Sequence, residues 1–171
     1  MMFNKMRQTA LFATLVTIVG SALAAETEVK IGYALAPDSH YGVAATKWEE
    51  VVEAQTDGRF SFRHFPSSGL GGEREVVEGL QLGTIEATIV STGTLSNFVP
   101  ATGLEQFDDA GLVALAWGEQ GFRHITNNRN PIETPEDLAG MKLRTMENPV
   151  HLAAFNAIGA APTPMAWPEV I

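Results

Sequence analysis

The chain has no cysteine. That absence removes disulfide cross-links, thiolate metal sites and thiol nucleophiles together, and in an exported protein it suits a bacterial periplasm, where a chain is stable without staples. Basic residues are scarce as well, 11 Lys and Arg against 20 Asp and Glu, for a formal charge of −9. This balance argues against nucleic acid and anionic lipid as partners, but not against a small anion, which needs only a local cationic site. Past the N-terminal region no apolar run approaches the roughly 20 residues that span a bilayer. The longest, residues 111–117, reads as a buried strand, and the chain beyond its leader reads as soluble. Catalytic signatures are missing too. There is no GxSxG elbow and no HExxH, and His40, His64, His124 and His151 are scattered. The glycine-rich stretch 69–72 lacks both the GK[ST] ending and the GxGxxG spacing, so it reads as a plain strand-to-helix turn. No enzyme chemistry, metal or cofactor is indicated.

What is present begins with an export signal. Lys5 and Arg7 form a short cationic stretch, residues 9–20 are uncharged and apolar, and Ala22-Leu23-Ala24 is a small-x-small cleavage pattern. These three regions in order predict a signal peptide over residues 1–24, cut after Ala24. Its removal takes away two basic residues and no acidic one, so the remainder is more acidic still.

Periodicity then predicts alternating elements. Residues 28–33 alternate as a strand. Residues 41–56 carry Ala44, Trp48, Val51 and Val52 at helical spacing, stopped by Asp57-Gly58. Residues 59–65 read as a strand with Phe60 and Phe62 on one face. A helix over 73–82 turns Val76, Val77 and Leu80 inward, and 85–90 is a third strand. A helix end over 103–110, a strand over 112–117 and an extended stretch over 122–126 follow. Thr134 caps a helix start with Pro135 at its first position. A strand over 142–145, a helix over 148–158, a short segment 161–164 and a helix start at Pro168 close the chain. Strands alternating with helices predict an α/β fold with a largely parallel, doubly wound sheet.

Two arginines stand out. Arg123 sits in an apolar context and Arg144 ends the stretch Met141-Lys142-Leu143-Arg144. A guanidinium at the C-terminal end of a buried strand needs a partner, and open α/β sheets bind ligands beyond those ends. Spacing alone leaves two readings level: ligand grip, or a structural ion pair with an acid such as Glu147.

Several long motifs occur in order: PDSHYG (37–42), GLGGEREVVEGLQLGTIE (69–86), VSTGTLSNFVP (90–100), AWGEQGFRHITN (116–127) and TPEDLAGMKLRTMENPV (134–150). With these the chain resembles the periplasmic substrate-binding subunit of tripartite ATP-independent periplasmic (TRAP) transporters. The resemblance implies a periplasmic-binding-protein-like α/β fold of two lobes, of which this chain carries an incomplete N-terminal part. It implies a first lobe over 25–120, a missing block near 100–103, and the start of a second lobe over 121–171. It also implies that Arg144 grips a ligand carboxylate bidentately, helped by Arg123, with Asn148, Ser91 and Thr92 as further pocket members and His40 and Tyr41 beside them. The implied function is capture of an organic anion, a C4-dicarboxylate or related acid, in the periplasm by a monomer that delivers it to the small and large membrane subunits. A ligand sensor for a signalling partner and a non-functional remnant are the other readings.

Overall fold

The computed structural model describes residues 27–99 and 105–170, so the signal peptide expected over 1–24 and the missing block expected near 100–103 lie outside the described residues. The first sheet is 3-stranded, order β2-β1-β3, with both pairs parallel. β1 (Thr27–Tyr33) takes the centre, since its last three residues, Ile31, Gly32 and Tyr33, are all buried. A strand flanked by two parallel neighbours must bury both faces. The register sets Ile31 beside His64 of β2 (Phe60–Phe65) and Ala87 of β3 (Ala87–Ile89).

The two crossover helices cover opposite faces. α1 (His40–Gln55) brings Tyr41, Ala45 and Trp48 against Ile31 and Tyr33. This stripe is rotated from the expected one: Ala44 is exposed and Val51 is 39% exposed, while Ala45 is fully buried. Tyr41 sets the phase, because its ring enters the core and the positions sharing its face follow at i+4 and i+7. α1 starts at Ser39, whose Oγ accepts from the Gly42 N–H at 3.3 Å and donates to the Ala36 carbonyl at 2.6 Å. Ser39→Ala is expected to lower stability by about 1 kcal/mol, read as a lower urea midpoint at unchanged m-value. An unmoved midpoint would mean that the Pro37 turn alone holds the helix start.

α2 (Glu73–Gln81) covers the other face with Val76 and Val77. A Cβ on Gly32 would lie 2.9 Å from Val76 Cγ1, so the bare backbone there is what lets α2 seat on β1. Val77 packs with Val99, Phe107 and Leu112 beneath α3 (Thr92–Leu95) and α4 (Glu105–Asp109). The strand order, with helices on both faces, is the expected doubly wound arrangement, and its connection reverses between β1 and β3.

A second parallel pair joins β4 (Lys142–Thr145) to β5 (Ala161–Pro164), linked by α5 (Pro149–Ala157) over Leu138, Met141 and Ala160. The segment at 161–164 is thus a strand. The start at Thr134 is a 3₁₀ turn, Pro135–Leu138. The Asp137 carboxylate accepts the N–H groups of Thr134 and Glu133, and these bonds hold its carboxyl below the usual range. A second 3₁₀ turn, Trp167–Glu169, stands where a helix start was expected at Pro168.

One expectation is overturned. Residues 112–117 form no strand, and Val113 is 77% exposed. Residues 122–126, which carry Arg123, are unpaired as well. An apolar run becomes a strand only with a neighbour to pair its backbone, and among the described residues no strand lies beside either stretch. Trp117 instead packs edge-on against Phe107, ring centroids 5.8 Å apart.

Candidate functional site

The C-terminal ends of both sheets face one cavity of about 250 Å³. From β1 the chain runs into Ala34 and Leu35 and then the start of α1, which supplies His40 and Tyr41. From β3 it runs into Ser91 and Thr94 of the α3 start. β4 carries Arg144 one residue before its end and leads to Met146 and Glu147, and β5 leads to Met165 and Trp167. The unpaired stretch closes one side with Gln120, Phe122 and Arg123. This is the crevice beyond strand ends, at the point where the strand order reverses, that open parallel sheets offer to ligands.

The cationic side consists of Arg144 and Arg123. Arg144 donates through Nε and Nη2 to the Met165 carbonyl, at 2.9 and 2.6 Å, and its guanidinium lies 5.5 Å from the Trp167 ring centroid. One fork edge is therefore spent on positioning, and the Nη1–Nη2 edge is left for a carboxylate. Burial, and then Arg123, pull the Arg144 pKa below its ordinary value, while Glu73 and Glu147 oppose that shift. The shift leaves a guanidinium charged at any physiological pH. Arg123 has only a soft contact, Nη2 to Met146 Sδ at 3.8 Å. Among the described residues neither arginine lies within 4.0 Å of a carboxylate. The structural ion-pair reading therefore has no partner here, Glu147 included.

The opposite side is built around Glu73. Its Oε1 accepts from the Ser91 N–H at 3.1 Å and the Tyr41 hydroxyl at 3.3 Å. Its Oε2 accepts from the hydroxyls of Ser91 at 2.7 Å and Thr94 at 2.6 Å. The Tyr41 oxygen in turn accepts from the Gln120 amide. Burial first, and then the Glu73 charge, push the Tyr41 phenol above its ordinary pKa, so it remains a neutral donor.

Of the residues the sequence put forward, the fold brings Arg144, Arg123, Ser91, His40 and Tyr41 to the cavity wall, but not Thr92 or Asn148. Thr92 is exposed at the start of α3. Asn148 is buried and fully engaged: its Oδ1 caps α5 through the His151 N–H at 2.9 Å, and its Nδ2 donates to the Gly93 carbonyl at 2.8 Å and Ser96 Oγ at 3.2 Å. It ties the start of α5 to α3. Glu73, Thr94, Gln120, Met146 and Trp167 went unnoticed. Glu73 opens a helix, where an acid is expected for the macrodipole alone, and nothing local shows that Ser91 and Thr94 converge on it. Among the described residues no cluster of His, Asp and Glu could hold a metal ion, and no helix is long and apolar enough to cross a membrane.

Two parallel sheets whose C-terminal strand ends meet at one cavity make this an α/β protein of the kind that offers a crevice there to a ligand. The profile of the bacterial extracellular solute-binding proteins, family 7 (DctP), matches residues 31–108 and 102–171, and the chain belongs to this family. A solute-binding protein of Verminephrobacter eiseniae is 42% identical over 173 residues, taking in 86% of this chain and 52% of the relative. That aligned stretch is longer than the part of the 171-residue chain it covers, so the relative carries positions with no counterpart here. Among solved structures, a TRAP periplasmic solute-binding protein from Polaromonas bound to D-erythronate superposes with TM-score 0.81 at 45% identity, over 85% of this chain and 56% of that one. A Bordetella homologue with density interpreted as pantoate gives 0.82 at 48% identity, over 85% and 57%. The chain spans about half the length of the relatives it matches.

Proposed function

We propose that the protein is the solute-capturing component of a TRAP transport system, holding a small organic acid in the periplasm by its carboxylate for delivery to the membrane subunits. The observation that carries this is the pair Arg123 and Arg144, both lining the cavity and neither, among the described residues, within 4.0 Å of a protein carboxylate. The leader over 1–24 supports the periplasmic address. The two separate sheets support lobes over 25–120 and 121–171. The two-part profile match and the unmatched positions of the relative support a missing block near 100–103.

Energetics set the expected affinity. A charge-assisted hydrogen bond contributes about 1.5–3 kcal/mol net, whereas micromolar binding needs about 8 kcal/mol. With Arg123 and Phe122 exposed, the cavity does not enclose a ligand. Binding by this chain is therefore expected to be weak, and weaker at high salt. Ligand-detected NMR titration with erythronate and with erythritol, its uncharged polyol counterpart, tests this. If erythritol binds as well as erythronate, the carboxylate reading is wrong. Tight stoichiometric binding would instead refute the argument from enclosure.

A further inference from the structure

We propose that Gln120 is a positioning residue for Arg123: its bond to the Tyr41 hydroxyl is the tether that holds Arg123 at the cavity. The proposal rests on the carboxylate reading above and says what keeps one of its two cations in place.

The need for a tether comes from the backbone. Arg144 rides on β4, whose pairing with β5 fixes its place. Arg123 has no such support: residues 113–126 lie outside every helix and strand, and among the described residues they make no backbone–backbone hydrogen bond. Upstream the stretch is pinned by apolar contact, with Ala114 against the cluster of Val99, Phe107 and Leu112, and Trp117 against the Phe107 ring. Downstream the next apolar anchor is Ile132, packed on Leu138, Met141 and Ala160. Between Trp117 and Ile132, among the described residues, one bond reaches a nitrogen or oxygen of the surrounding fold: Gln120 Nε2 donates to the Tyr41 hydroxyl oxygen. The contact Arg123 makes for itself, Nη2 to Met146 Sδ at 3.8 Å, is to a weak thioether acceptor.

Tyr41 suits the part of anchor. It is 5% exposed, and its ring is packed in the core with Ile31, Tyr33 and Ala45. Its hydroxyl has a single proton, which goes to Glu73 Oε1 at 3.3 Å. What remains on that oxygen is a lone pair, and the amide N–H of Gln120 is the kind of group that can use it.

The turn at Gly121 brings tether and cation to the same side. Along an extended chain side chains alternate, so residues three apart face opposite ways. Gly121 has a φ of 71°, in the left-handed region, which breaks the alternation and lets both Gln120 and Arg123 line the cavity. A Cβ there would meet nothing within 4 Å, so conformation and not space calls for glycine.

The test compares Gln120→Met, which keeps the side chain's length and removes the donor, with Arg123→Ala and with the double variant, each in the full chain. In NMR titrations with erythronate, Gln120→Met is expected to weaken binding about as much as Arg123→Ala, by about tenfold or more. The double variant is expected to be no weaker than Arg123→Ala, because the two residues act as one. Both single variants should flatten the salt dependence of binding alike. The urea midpoint of Gln120→Met should stay in place, which a merely structural residue would not allow. Without any ligand, trypsin cleavage after Arg123 is expected to rise severalfold relative to cleavage after Arg129, since only the former is released. Gly121→Ala, which keeps the donor and disturbs the turn, should weaken erythronate as well. The proposal is overturned by unchanged affinity in Gln120→Met where Arg123→Ala weakens binding, by losses that add in the double variant, or by an unchanged cleavage ratio. If Arg123→Ala itself leaves erythronate affinity unchanged, the part given to Arg123 in the carboxylate reading fails, and the cleavage ratio alone then decides whether the tether exists.

Discussion

Arg144→Ala is expected to take carboxylate binding below detection while leaving the chain folded. The free edge of the guanidinium can give a ligand two parallel charge-assisted bonds. At about 1.5–3 kcal/mol each, losing both weakens binding by roughly a hundredfold or more, and Arg123 alone cannot compensate for that. The structural loss is smaller. The Met165 carbonyl loses the Nε and Nη2 donors and Trp167 loses its stacked cation, but both lie at the cavity rim, where water reaches them. Arg144→Lys separates charge from geometry. An ammonium keeps the charge but cannot hold the Met165 carbonyl and also present a flat two-donor edge, so it is expected to recover only part of the affinity. NMR titration with erythronate, beside urea unfolding of each variant, makes the comparison. Unchanged affinity in folded Arg144→Ala would remove this residue from the site.

The second large effect lies in the turn that presents Tyr41. A Cβ on Gly42 would stand 2.0 Å from the Pro37 carbonyl oxygen, 2.5 Å from its carbon and 2.7 Å from its Cα. All three are backbone atoms, so no rotamer change relieves the clash, and the first turn of α1 must move away from the Pro37 turn. Gly42→Ala is therefore expected to fall at or beyond the upper end of the roughly 1–3 kcal/mol that overpacking costs. Against a net stability on the order of 5–15 kcal/mol, that is a large fraction. The movement also breaks the Ser39 cap and draws the Tyr41 hydroxyl away from Glu73 and Gln120. Stability and erythronate affinity should fall together. A urea midpoint equal to that of the unaltered chain would show that the turn can open without cost.

The resemblance to solute-binding subunits was readable because its motifs are long and ordered, and the family profile covers the same residues. The strands and helices of the first sheet were legible because each satisfies a local rule: β1 alternates and then becomes wholly apolar, α2 repeats its valines at helical spacing, and Ser39 and Thr134 precede their turns. Even so, the phase of α1 was misjudged by one position, since Ala44 and Ala45 are equivalent to a periodicity count and only the seating of Tyr41 under β1 separates them.

The sequence by itself determined the alternation of strands and helices, the acidic balance and the two arginines on which the proposed anion site rests. Those are properties of residue type and spacing, and no neighbour is needed to state them. Tertiary structure alone decided that residues 112–117 remain unpaired, because a strand exists only through the backbone beside it. It also decided that Asn148 braces α3 rather than facing the cavity, and that Glu73 gathers Ser91, Thr94 and Tyr41 from three separate elements. Which way a hydroxyl proton points depends on the acceptor that reaches it, and that acceptor comes from elsewhere in the chain.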